Sequence, residues 1–91
     1  MKVITEKVIA YITQEDKLLV FRHPFHPEAG IQVPAGTIEP GESPQEAVLR
    51  EAHEETGFSE LELRAFLGMQ EYLYQRRHVV YIVRYIKHLR K

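Results

Sequence analysis

Gly36-Thr37-Ile38-Glu39-Pro40-Gly41-Glu42-Ser43-Pro44-Gln45-Glu46-Ala47-Val48-Leu49-Arg50-Glu51-Ala52-His53-Glu54-Glu55-Thr56-Gly57-Phe58 is the stretch that decides how the rest of the chain is read. Its second half predicts a helix. Ser43 suits the N-cap, Pro44 the first helical position, and Glu46 completes a Ser-x-x-Glu capping box. Gly57 supplies the stop, since glycine enters the left-handed conformation of a helix end without steric cost. At about 100° per residue, Glu51, Glu54 and Glu55 fall within an arc of roughly 100°, beside a packing face of Val48, Leu49, Ala52 and the Thr56 methyl.

Carboxylates so close repel one another, by a few tenths of a kcal/mol per pair on an exposed helix and by more where solvent is excluded. Arg50, beside Glu54 and four residues after Glu46, neutralises part of this charge, but one guanidinium cannot serve all three acids. Oxygen-only donors in close array suit a hard divalent ion, Mg²⁺ or Mn²⁺. The Gly36–Glu42 segment reads as a tight glycine-rich turn whose carbonyls can approach the same ion, with Glu42 hydrogen-bonding into the cluster. The ordinary alternative is a solvated helix face with intrahelical ion pairs.

Against that alternative, the stretch resembles the signature of the Nudix hydrolase family. Gly36, Glu42, Arg50, Glu51, Glu54, Glu55 and Gly57 fill its fixed positions, with Phe58 in the closing apolar place. With common residues at roughly 7% each, a chance match at a given start is on the order of 10⁻⁸.

Outward from this stretch, 91 residues with 44% hydrophobic content form one small domain, residues 1–91, which buries only about 60–65% of its unfolded surface. No run of eighteen apolar residues predicts a membrane span, and the charged start Met1-Lys2-Val3-Ile4-Thr5-Glu6 does not resemble a signal peptide. Cysteine is absent, which excludes disulfides and thiolate sites and fits a cytoplasmic protein. A net charge of −1 provides no basic field for a nucleic acid polymer.

Residues 3–13 are rich in β-branched and aromatic side chains and predict a strand. After a turn at Gln14-Glu15-Asp16, the run Leu18-Leu19-Val20-Phe21 predicts a buried hairpin partner closed by Arg22. His23–Gly30 is a loop by its prolines and glycine, and its histidines read as ordinary loop residues. Ile31-Gln32-Val33 is a brief strand. Leu61–Tyr74 predicts one or two strands with a bulge at Gly68, Gln75-Arg76-Arg77 a turn, and His78–Lys87 a central strand. This order gives an α+β or α/β domain with a mixed sheet covered on one face by the helix.

The resemblance implies more: an α/β/α sandwich in which the signature forms loop, helix and loop. The chain is shorter than usual for the family and stops before the C-terminal helix. It is therefore expected to be a short or truncated form, or a homo-oligomer that covers its bare sheet face by self-association. Hydrolysis of a pyrophosphate bond in a nucleoside diphosphate-linked small molecule is implied, whether nucleotide sugar, nucleoside triphosphate or dinucleoside polyphosphate. A non-catalytic nucleotide-binding domain is the alternative. Isopentenyl diphosphate isomerases share the fold but need a cysteine. By resemblance Glu51, Glu54 and Glu55 bind metal and supply the base, Gly36 offers its carbonyl to the metal, Arg50 orients the glutamates and Glu42 supports them. Arg22, Tyr74 and Arg76 are weaker substrate-binding candidates: Tyr74 stands where a tyrosine marks dinucleoside polyphosphate hydrolases, and the arginines suit phosphates.

Overall fold

The computed structural model describes residues 5–72 and 76–86. In chain order the elements are β1 (Thr5–Gln14), β2 (Lys17–Leu18), β3 (Phe21–Arg22), a 3₁₀ turn (Pro27–Ala29), β4 (Ile31–Gln32), β5 (Ala35–Thr37), α1 (Pro44–Thr56), β6 (Leu61–Tyr72) and β7 (Arg76–Tyr85).

β1 is the axis of the main sheet. β7 runs parallel to it from Thr5 opposite Arg76 to Thr13 opposite Arg84, and β6 lies antiparallel on the outer side of β7. The other edge of β1 is shared by β5, opposite Lys7 to Ile9, and by β2, opposite Thr13 and Gln14. The apolar run of β7 thus sits between two neighbours, as its composition predicts. Gly68 lies at one of two register shifts between β6 and β7, the bulge expected there.

Alternation along the strands sorts the two faces. Val8, Ala10 and Ile12 of β1 and Val79, Tyr81 and Val83 of β7 meet Ala47, Val48 and Ala52 of α1 in the core. Each fully buried aliphatic side chain of this kind contributes about 1.5–3 kcal/mol relative to exposure. The opposite face carries Ile9 and Tyr11 in register with Val80 and Ile82. No helix covers it among the described residues, and Tyr11 and Leu67 stay 37% and 51% exposed.

The helix starts and stops as its sequence requires. Glu46 N–H donates to Ser43 Oγ at 3.1 Å, and Ser43 N–H donates to Glu46 Oε1 at 2.9 Å, closing the capping box. Gly57 adopts φ 76° and donates its N–H to His53 O at 2.8 Å.

Three sequence expectations need correction. The run from Leu18 to Phe21 is not one buried hairpin strand. Leu19 N–H donates to Ile12 O at 2.8 Å, pairing then stops, and β3 pairs with β4 in a separate two-stranded sheet. Leu18 and Val20 are accordingly 49% and 43% exposed. Arg76 and Arg77 begin β7 instead of forming a turn. Arg77 is held in the sheet by Glu6 of β1 at 3.1 Å and Glu71 of β6 at 3.0 Å, which outweighs its turn-like neighbours in sequence. Gly36 lies in a strand, and the tight turn falls later, where Glu42 N–H donates to Glu39 O at 3.0 Å and Gly41 takes φ 81°.

Candidate active site

β5 and the first three turns of α1 bring the signature residues together. Pairing of β5 with β1 fixes Ala35, Gly36 and Thr37, while burial of Ala47, Val48 and Ala52 fixes the rotation of the helix. Arg50 and the glutamates are then turned toward β5 and the Glu39–Glu42 bend.

Arg50 organises the site. Its Nε and Nη2 donate to Glu42 Oε2 and Oε1 at 2.7 and 2.9 Å, a two-pronged pair of the strongest kind, and Nη2 also donates to the Thr37 carbonyl at 3.0 Å. Its Nη1 donates to Glu51 Oε1 at 2.8 Å and Glu54 Oε1 at 3.0 Å. Glu39 stands further off, 3.8 Å from Nε. The hydrogen bonds from Arg50, followed by that from the Glu39 backbone N–H, hold the Glu42 carboxyl down at about 2 from an ordinary 4.5. The same bonds to Glu42 and Glu51 push the guanidinium further above its ordinary range.

Glu51 is packed directly over Gly36. A Cβ at position 36 would overlap the Glu51 carboxylate, and Gly36 has ordinary negative-φ geometry, so the glycine is needed for space and not for a turn. Glu55 Oε1 accepts the Ala35 N–H at 3.2 Å. Burial raises its pKa most. The Ala35 hydrogen bond opposes that shift, and the Glu51 and Glu54 charges with a hydrogen bond to Glu51 reinforce it. A carboxyl with raised proton affinity is thus present in the cluster, chiefly through burial and only secondarily through its acidic neighbours.

The predicted donors are therefore gathered into one region, but not into a single ligand set. Glu51 adjoins Glu55 while sharing Arg50 Nη1 with Glu54, and among the described residues no three carboxylate or imidazole groups stand at metal-ligand spacing. The residues nevertheless fit a hard divalent ion: the donors are all oxygen, and the Gly36 cradle leaves the backbone bare beside Glu51. Glu51, Glu54, Glu55 and the Gly36 carbonyl are the groups that would hold it.

The weaker candidates fall elsewhere. Arg22 is on β3 opposite Ile31, and Arg76 opens β7; both are exposed and neither is a partner of the helix carboxylates. Tyr74 lies outside the described residues. Sequence reading missed the Thr37 carbonyl and the Ala35 N–H. Backbone groups carry no residue signature, and only the β5 pairing reveals them.

The sequence model of the NUDIX domain matches residues 4–89. The chain belongs to the Nudix family. Over 49 residues this Nudix chain is 47% identical to a probable DHNTP pyrophosphohydrolase of Lactococcus lactis subsp. cremoris (strain MG1363), a match covering 54% of the chain and 28% of that protein. Over 59 residues it is 37% identical to the NAD-capped RNA hydrolase NudC of Vibrio parahaemolyticus serotype O3:K6 (strain RIMD 2210633), covering 65% of the chain and 23% of that protein. This Nudix chain thus matches about a quarter of the length of these curated relatives. Its fold is that of a NUDIX-family hydrolase crystal structure from Clostridium perfringens, with a TM-score of 0.77 and 22% identity over 93% of this chain and 70% of that one.

Proposed function

We propose that this Nudix domain hydrolyses a pyrophosphate bond in a small nucleoside diphosphate derivative, in a reaction dependent on Mg²⁺ or Mn²⁺. The arrangement that supports this reading is the guanidinium of Arg50 fixing Glu51 and Glu54 beside Glu55 and the bare backbone of Gly36. Relatives named as a DHNTP pyrophosphohydrolase and an NAD-capped RNA hydrolase lend it further support.

A divalent ion held by Glu51, Glu54, Glu55 and the Gly36 carbonyl would neutralise charge on the phosphate oxygens and lower the pKa of the attacking water. The chain's own residues do the rest. Glu51, Glu54 and Glu55 present oxygen donors, and one of these carboxylates accepts the proton of the attacking water. Arg50, anchored on Glu42 and Thr37, keeps the acids oriented. Gly36 lets the Glu51 carboxylate approach the strand closely.

The test is chromatographic detection of the products of pyrophosphate-bond cleavage from nucleoside triphosphates, nucleotide sugars and dinucleoside polyphosphates with Mg²⁺ or Mn²⁺, and with chelator. Glu54→Gln and Glu55→Gln should each lower turnover by about two orders of magnitude or more while the thermal midpoint changes little. Turnover like that of the wild type in either variant would remove the assignment, and nucleotide binding without cleavage would identify a non-catalytic domain.

A further inference from the structure

The two edges of the Arg50 guanidinium have different partners. One edge is tied down: Nε and Nη2 reach both oxygens of Glu42 at 2.7 and 2.9 Å, and Nη2 also reaches the Thr37 carbonyl at 3.0 Å. The other edge, Nη1, rests on Glu51 Oε1 at 2.8 Å and Glu54 Oε1 at 3.0 Å, two carboxylates that the metal-dependent reading gives to a divalent ion. Glu42 and Glu51 side chains are 15% exposed and Glu54 is 56% exposed, so Glu54 is free to turn while the anchor is not. A guanidinium is never a metal ligand, and it repels a cation placed against the same oxygens.

We infer that Arg50 is an internal counter-ion, which a divalent ion must displace from Glu51 and Glu54. Ion binding is then an exchange: the Nη1 hydrogen bonds break, the Glu51 and Glu54 oxygens pass to the ion, and the bonds to Glu42 and Thr37 persist. Arg50 is on this account a positioning residue. It prevents the crowded carboxylates from splaying apart when no ion is bound, and it lowers the affinity of the ion by competing for its donors. The inference rests on the metal-dependent reading above.

The experiment is Mn²⁺ titration, followed by electron paramagnetic resonance and calorimetry, of the wild-type chain, Arg50→Gln and Glu42→Gln. Removing the competing cation should tighten Mn²⁺ binding about tenfold in Arg50→Gln. Glu42→Gln, which frees the guanidinium to settle on Glu51 and Glu54, should weaken it. A merely structural role for the pair would weaken binding in both variants, and equal or weaker binding by Arg50→Gln would overturn the inference while leaving the metal reading intact. Failure of the wild-type chain to bind Mn²⁺ at all would remove both. The wild-type chain gives a readout that needs no variant: on adding Mg²⁺ the Arg50 Nη1 resonance should shift while the Nε and Nη2 resonances, held by Glu42 and Thr37, stay in place. An unmoved Nη1 resonance would equally overturn the exchange.

Discussion

Gly36 is the residue whose role the structure changes most. In sequence it stands at the head of a glycine-rich stretch and suggests a turn, whereas the fold uses it as flat strand backbone under the Glu51 carboxylate. Gly36→Ala should therefore leave the helix and sheet formed, with a thermal midpoint near that of the wild type, yet reduce Mn²⁺ affinity and hydrolysis by about tenfold or more, because Glu51 must move. Titration of the purified variant beside the wild type checks this. Glu42 gives a second test at the same scale. Its carboxyl is held at about 2, below the ordinary 4.5, so the ionised form is favoured in the folded state. The stability it contributes is fully present above the ordinary value and is lost as pH falls from 4.5 toward 2. Denaturation of wild type and Glu42→Gln across that range should show a constant difference above about pH 5 that shrinks in more acid solution. The grouping of the glutamates on one arc of the helix was legible from spacing, whereas their reading and that of Arg50 as a site came from the family resemblance. The division of labour among them was legible in neither, since the turning of Glu54 onto Arg50 depends on where Glu42 and Thr37 anchor the guanidinium.

At the scale of elements, α1 was the part most fully written in the sequence. Ser43, Pro44, Glu46 and Gly57 are local signals, and each acts within one turn of its own position. Ser43→Ala should cost about 1 kcal/mol by removing the acceptor for Glu46 N–H. Gly57→Ala should cost about 1–2 kcal/mol by forcing a side chain into the left-handed region. Chemical denaturation of the two variants measures both. The strands were less legible because their partners are distant. Nothing within Leu18–Phe21 announces that β3 leaves the main sheet for β4, and nothing near Arg77 announces Glu6, 71 residues away. Composition identified β7 as interior, but its parallel pairing with β1 is a property of the whole topology.

Across the whole molecule, one helix covers one face of the sheet among the described residues, and Tyr11 and Leu67 remain exposed on the other. An apolar face of this kind favours burial against another surface. The expected outcome for the isolated chain is concentration-dependent self-association in sedimentation, reduced by Leu67→Glu. A monomer at all concentrations with an intact fold would show that the open face is tolerated. The pairing of β1 with β7 has a further consequence, for how the protein is made. The strand that anchors the sheet is translated first, and its long neighbour on one side is translated last among the described elements. The emerging polypeptide has to wait, with β1 unsealed along that edge, until residues 76–85 leave the ribosome. Until β7 emerges this Nudix domain should thus remain sensitive to protease.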